Sequence, residues 1–249
     1  PVILARAQRL GLRTTVTTNG ILYTSRAREL AGLVDFLQFS LEGPDRESHD
    51  AVTKTPSFDR VIENIETARS LGERPTVCHT VTDDSIDRVP DVAALCKRLG
   101  ALLFLNPCFS YFGNGGLSSS NARRLDAMAK RRGVAIDRGY LKYLIDGGNH
   151  AASPRCYAVS SCVVISPDDR LVLPCWHHAV KTLPIDGRLI EARESPESRA
   201  AIDREGRYPF CEGCAINCYY RASVLRRFDT YSVLSVLSGV KYLWEYHRM

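Results

Sequence analysis

The sequence predicts an α/β fold with a parallel sheet, followed by a small part built from a β-hairpin, a helix and cysteines. Three observations carry that expectation. Short β-branched runs alternate with amphipathic helical stretches over residues 1–149, which is the pattern of βαβ units. The alternation stops after DGGNHAASP (Asp146–Pro154), and a change of period places a domain boundary at 149/150. The chain has nine cysteines, and most fall beyond that boundary, three of them in PFCEGCAINCYYR (Pro209–Arg221).

The elements follow in order. PVILARAQRLG opens in mid-helix, with apolar Val2, Ile3, Leu4, Ala7 and Leu10 before a Gly stop. No cap precedes it, so the chain is expected to be the later part of a longer protein. RTTVTTNG (Arg13–Gly20) is a strand closed by an Asn-Gly turn. TSRARELAGL (Thr24–Leu33) is a helix capped by Thr24 or Ser25, and VDFLQFSLEG (Val34–Gly43) is a second strand. SFDRVIENIETARSLG (Ser57–Gly72) is a helix with Ser57 as its cap. RPTVCHTVT (Arg74–Thr82) is a third strand, DRVPDVAALCKRLG (Asp87–Gly100) a helix, ALLFLNP (Ala101–Pro107) a fourth strand and SSNARRLDAMAKRRG (Ser119–Gly133) a helix. This pattern admits an open or closed barrel or a doubly wound sheet, and in each the ligand sits at the strand C-termini. SCVVISPDDRLVLPCW (Ser161–Trp176) reads as a hairpin around Pro167–Asp169. TYSVLSVLSGVKYLWEY (Thr230–Tyr246) spaces Val233, Leu237, Val240 and Trp244 as the core-packing face of a helix.

Composition narrows the class. The 249 residues are 45% hydrophobic and 24% charged, which excludes disorder. A net charge of +5, scattered along the chain, gives no footprint for nucleic acid. AKRRG (Ala129–Gly133) reads as a solvated helix end, where cations offset the terminal carbonyls. No run approaches the roughly 18 apolar residues of a spanning helix.

Cysteine usage points to ligation in a reducing, cytoplasmic setting. Cys78 and Cys96 read as buried inert thiols, Cys108 as structural and Cys162 as packed within its strand. The remaining thiols are Cys156, Cys175, Cys211, Cys214 and Cys218. Two pairs, one flanking the hairpin and one in Cys-x-x-Cys spacing, supply four thiolates. Zinc and an iron–sulfur cluster both accept that set. The first pair is too widely spaced for a zinc knuckle, and a cluster tolerates scattered ligands, so spacing favours the cluster. A zinc-binding four-cysteine interaction module on an α/β scaffold is the alternative. A further alternative is an ordinary α/β enzyme using FGNGG (Phe112–Gly116) as a phosphate loop, although that stretch lacks the Lys-Ser/Thr such a loop needs.

TTNG, FLQFSLEGPDRESHD with SFDRVIENIETARSLG, CVVISPDDRLVLPC and CEGCAINC together resemble a radical S-adenosylmethionine (SAM) enzyme carrying a SPASM or twitch-type auxiliary-cluster domain. The resemblance covers nearly the whole chain. It implies a partial (β/α)6 barrel, truncated at its N-terminus, over residues 1–149, and an auxiliary-cluster domain with a C-terminal helix over residues 150–249. It implies that Thr18, Asn19 and Ser40 face SAM, and that one auxiliary 4Fe-4S cluster is held by Cys156, Cys175, Cys211 and Cys214, with Cys218 in reserve. Cys156 and Cys175 fit the length of the family's hairpin motif, but Arg170 stands where Gly is usual. His49 and Asp50 are given a surface or capping role, and Trp176, His177 and His178 a loop role beside Cys175. The family's SAM-cleaving Cys-x3-Cys-x2-Cys and its Gly-Gly-Glu segment do not occur in these residues, so a second 4Fe-4S cluster is expected on sequence upstream of Pro1. The implied partners are a substrate (peptide, lipid or small metabolite) and a reductant such as a flavodoxin or ferredoxin.

Overall fold

The computed structural model describes residues 1–110 and 116–249, so FGNGG lies outside the described residues except for Gly116. The chain divides into two compact units. Unit one comprises Pro1–Cys108, Gly116–Ile136 and Ser238–Met249. Unit two comprises 109–110 and Asp137–Leu237 among the described residues. This division falls earlier than the expected 149/150, because the helix that begins at Arg138 buries Tyr140 and Tyr143 against Tyr220, inside unit two.

Unit one runs α1 (Val2–Arg9), β1 (Thr15–Thr18), α2 (Tyr23–Leu30), β2 (Phe36–Ser40), α3 (Arg46–Thr53), α4 (Phe58–Ser70), β3 (Thr76–Val81), α5 (Val89–Leu99), β4 (Leu102–Pro107), α6 (Ser119–Met128) and β5 (Val134–Ala135). Among the described residues the five strands pair in parallel in the order β1-β2-β3-β4-β5. An unbroken sequential order is that of a barrel wall, whereas a doubly wound sheet reverses at a switch point. Leu37, Phe39, Val77, Leu103 and Leu105 are buried on one face, where Phe39 meets Tyr23 of α2 edge to face at 5.1 Å. By the two-residue strand period, Gln38, Ser40, Thr76, Cys78, Thr80, Phe104 and Asn106 lie on the other.

Local chemistry sets the helices. Pro90 in its first turn and Gly100 in the left-handed region at φ 61° bound α5. The expected hydroxyl caps give way to tertiary ones. Asp50 Oδ1 accepts the N–H groups of Ser57 and Phe58 at 2.9 and 3.0 Å, so α3 caps α4. The Thr24 N–H is taken at 2.8 Å by Asn64 of α4.

Unit two runs α7 (Arg138–Ile145), α8 (Ala158–Ser161), β6 (Arg170–Pro174), β7 (Ala179–Pro184), α9 (Leu189–Glu194), α10 (Pro196–Asp203), α11 (Asn217–Ser223) and the first part of α12 (Thr230–His247). The longer antiparallel ladder is β6 with β7, while the two runs around Pro167–Asp169 also pair, through Ser166 N–H to Arg170 O and Val172 N–H to Val164 O, both at 2.9 Å. Of the earlier run, Ile165 makes one bridge to Leu171, and Asp169 takes the turn at φ 56°. The β6–β7 connection therefore carries Cys175, Trp176, His177 and His178.

Helix α12 reverses the expected facing. Val233, Leu237, Val240 and Trp244 are 38%, 60%, 60% and 54% exposed. In unit one its packed side is polar and aromatic. Tyr242 lies against Phe36 and Phe104, and the Tyr246 hydroxyl donates to the Asp35 carbonyl at 2.8 Å. No helix among the described residues is long and apolar enough to cross a membrane.

Candidate functional site

Each unit presents one candidate site. In unit one it is the C-terminal edge of the sheet. Ser40 pairs in register with Cys78, and Thr80 with Asn106, so hydroxyl, thiol and carboxamide groups share one side of three adjacent strands. Cys78, expected as a buried inert thiol, is half-buried and beside Ser40. Thr18 is in register with Phe39, on the helix-packed side, and its hydroxyl accepts the Gly20 N–H at 3.0 Å. Its neighbour Thr17 is the one on the Gln38 side, with the two side chains 3.1 Å apart. The Asn19 carboxamide oxygen accepts the Ile21 N–H at 3.2 Å. Hydroxyl and amide groups of this kind suit the ribose and amino-acid ends of SAM.

Glu42 also belongs to this edge. Its Oε2 accepts the Thr80 N–H at 3.2 Å. Burial pushes its carboxyl above the ordinary range, and the bonds from Thr80 pull it back in part. His49 is buried. Its Nδ1 accepts the Glu42 N–H at 3.0 Å, so Nε2 carries the proton and donates to Ser57 at 3.1 Å. Burial holds this imidazole below its usual value, hence neutral. In place of the expected surface or capping role, His49 is an internal strut for the Glu42 turn.

In unit two three chain segments bring four thiols together. Cys175 packs with Ala158, Ile216 and Tyr219, and Cys156, Cys162 and Cys214 lie against that cluster. Cys211 adjoins it through the turn at Gly213. Burial pushes each thiol up: Cys211 to about 11, and Cys156, Cys175 and Cys214 in the same direction. Negative charge on neighbouring thiols adds to this. Cys156 feels Cys214, Cys211 and Cys175, while Cys211 feels Cys214 and Cys175. Against the burial, backbone hydrogen bonding pulls all four thiols partly back: from Ala158 for Cys156, His178 and His177 for Cys175, Tyr208 and Gly206 for Cys211, and Ile216 for Cys214. Such donors stabilise thiolate and tune metal–sulfur centres. The remaining cysteines differ. Cys96 is buried with its thiol pushed up to about 12, as an inert packed thiol should be. Cys218 is exposed on α11 and acts on Cys162 rather than on the four.

One residue with no signal in the sequence organises this site. Asn149 is fully buried. Its Nδ2 donates to the carbonyls of Gly206 at 2.8 Å and Cys211 at 3.0 Å. Its Oδ1 accepts the N–H groups of Arg155 at 2.9 Å and Cys156 at 3.2 Å. Its own backbone bonds Cys214 and Gly213. A single carboxamide thus spends its full hydrogen-bonding capacity tying the Cys156 segment to the Cys211–Cys214 turn. Gly148 permits the approach: at φ +83°, an added Cβ would lie 2.7 Å from the Gly213 carbonyl oxygen. The Cys156 side is further fixed by the buried Glu205, which accepts the N–H groups of Val159 and Ser160, both at 2.9 Å. The Tyr219 hydroxyl accepts the Trp176 N–H at 2.8 Å beside Cys175.

Four thiols aided by amide donors are the donor set an iron–sulfur cluster takes. Among the described residues, no three His, Cys, Asp or Glu side chains are grouped so as to hold a single metal ion.

The chain thus combines a parallel sheet in sequential order, a polar strand-end edge and a group of neighbouring thiols. Residues 1–95 match the model of the radical SAM superfamily. The chain is similar to the AdoMet-dependent heme synthase of Nitratidesulfovibrio vulgaris, 34% identical over 103 residues, 40% of this chain and 28% of the relative. It is also similar to the mycofactocin maturase MftC of Mycolicibacterium smegmatis, 33% identical over 104 residues, 40% of this chain and 26% of the relative. The match thus spans about a quarter of these relatives. In fold it is similar to SuiB of Streptococcus suis bound to S-adenosylmethionine (TM-score 0.61, 14% identity, 92% of this chain and 61% of that one). It is likewise similar to anSMEcpe with bound AdoMet (TM-score 0.54, 18% identity, 77% of this chain and 59% of that one).

Proposed function

We propose that the chain is part of a radical SAM enzyme that uses reductive cleavage of SAM to modify its substrate, and that unit two serves as its auxiliary-cluster domain of the twitch type. The observation that carries the second half is the convergence of Cys156, Cys175 and Cys214 in one packed cluster, with the Cys211 turn tied to the Cys156 segment through Asn149. The wide spacing of Cys156 and Cys175 favours a cluster over the zinc module, whose knuckles hold their cysteines a few residues apart.

Each group of the chain then has a part. The four thiols lose their protons on ligation, since burial keeps them protonated until metal supplies the compensating charge. Asn149, Glu205 and Tyr219 hold the ligand segments in place and keep water from the sulfurs. When bound, a fully ligated auxiliary cluster supplies electron transfer or structure rather than SAM cleavage. In unit one, Ser40, Thr80 and Asn106, with Asn19 and Thr17 at the edge strand, would bind and orient SAM, and Glu42 with His49 would fix the β2–β3 margin.

The test is 5′-deoxyadenosine formation. These residues contain no Cys-x3-Cys-x2-Cys. The reconstituted chain, incubated anaerobically with SAM and dithionite, should therefore release none above a protein-free control. Product released by Pro1–Met249 alone would show that the chemistry has been misplaced.

A further inference from the structure

We propose that unit one carries an anion site, separate from the strand-end edge, shaped for a nucleoside di- or triphosphate. It is a cavity of about 680 Å³ at the start of β4 and β5, at the opposite end of the strands from Ser40 and Thr80. Arg69, Lys97, Arg131, Arg132 and Arg248 line it. None of the five enters an ion pair among the described residues. Glu245, the carboxylate in the wall, is already engaged. Its Oε2 accepts the Gly133 N–H at 2.7 Å, and its Oε1 lies 3.6 Å from the Lys241 ammonium.

The cations are placed, not merely exposed. AKRRG is expected to end a helix, but α6 stops at Met128, and Arg131 and Arg132 lie in the loop beyond it. That loop is fastened from behind by Lys241, whose Nζ donates to the carbonyls of Ala129 at 2.6 Å, Arg131 at 3.1 Å and Val134 at 2.8 Å. Arg69 donates to the carbonyl of Gly100 on the facing wall. The Arg248 guanidinium sits 4.2 Å from the centroid of the half-exposed Trp244 ring. Five cations in one concavity repel each other across less than a few Debye lengths, about 8 Å each at physiological salt, and the arrangement draws anions in. Guanidinium forks match phosphate oxygens in pairs, and a loop fixed in advance lowers the ordering cost of binding. An indole face beside them and an apolar floor that includes Ala93 and Val134 suit a flat ring. The volume falls within the roughly 300–1,000 Å³ of small-molecule sites. A ligand with several charges at one end and a ring at the other is a nucleoside polyphosphate.

The experiment uses the full chain carrying Trp176→Phe, which leaves Trp244 as its tryptophan, since the sequence has two. Fluorescence is titrated with ATP, ADP, inorganic pyrophosphate and a hexaglutamate peptide. Expected are saturable quenching by ATP and ADP, and competition without quenching by pyrophosphate. Arg131→Ser/Arg132→Ser should lose affinity roughly tenfold or more, equivalent to about 1.4 kcal/mol or more, with unchanged circular dichroism. Arg248→Ser, on a different element, gives an independent second reading and should also weaken ATP. The proposal is overturned by the absence of saturable ATP binding below millimolar concentration, by arginine variants that bind as the parent does, or by hexaglutamate binding more tightly than ATP. None of these outcomes touches the thiol site.

Discussion

Replacing Asn149 by alanine removes one carboxamide and leaves three backbone groups without partners: the carbonyl of Gly206 and the N–H groups of Arg155 and Cys156, while the Cys211 carbonyl keeps the Cys214 N–H. The site is fully buried, so water cannot freely replace the lost bonds. A buried group left unpaired costs about 1–3 kcal/mol, and taking the low end for all three gives roughly 3 kcal/mol. That is a large part of the ~5–15 kcal/mol that stabilises a domain. It also falls on the segments holding Cys156, Cys211 and Cys214, so cluster retention and folding should fail together. The assay is urea unfolding of the anaerobically loaded chain, followed by circular dichroism, with iron measured on the same samples. A loss of that size lowers the midpoint by about 1 M urea or more, and iron should fall with it. Ser153→Ala, in the same loop but exposed, should leave both readings unmoved. Asn149→Ala with full iron and an unchanged midpoint would refute the reasoning.

Two further predictions concern the individual sites. Single alanine variants of Cys156, Cys175, Cys211 and Cys214 should each lose the cluster, while Cys218→Ala, Cys162→Ala and Cys96→Ala keep it; loss in Cys218→Ala with retention in Cys214→Ala would change the ligand set. For Glu42, the raised folded-state carboxyl means that its stabilising contribution is present below the ordinary value of 4.5 and lost as pH rises through the folded one. The ionised group is then a cost at neutral pH, so Glu42→Gln should raise the melting temperature at pH 7, with the gain vanishing below about pH 4.5. A lower melting temperature at pH 7 would show that the bonds from Thr80 outweigh the burial.

The parallel sheet is legible in the sequence because runs such as FLQFS and TVCHTV are followed by amphipathic helices with clear stops at Gly72 and Gly100. Elements without such signals are not. β5 is the two residues Val134–Ala135, and α3 offers little apolar periodicity between Asp45 and Lys54. In α12 the apolar stripe suggests the buried face, yet its packed side is Tyr242, Tyr246, Lys241 and Glu245; the last three find backbone partners, and the Tyr242 hydroxyl meets that of Thr76. The strand period marks Thr17 and Thr18 as opposite in facing but does not say which one the helices cover. The four thiols can be picked out by spacing, since Cys-x-x-Cys is a local signal. Asn149 cannot, because the groups it bonds come from segments far apart in sequence.

Iron, acid-labile sulfide and zinc, measured per chain on protein purified and reconstituted without oxygen, test the central claim most directly. The auxiliary-cluster account predicts iron and sulfide in equal amounts, about four of each per chain, and no stoichiometric zinc. One zinc per chain with no sulfide would contradict it and make unit two a zinc-binding module.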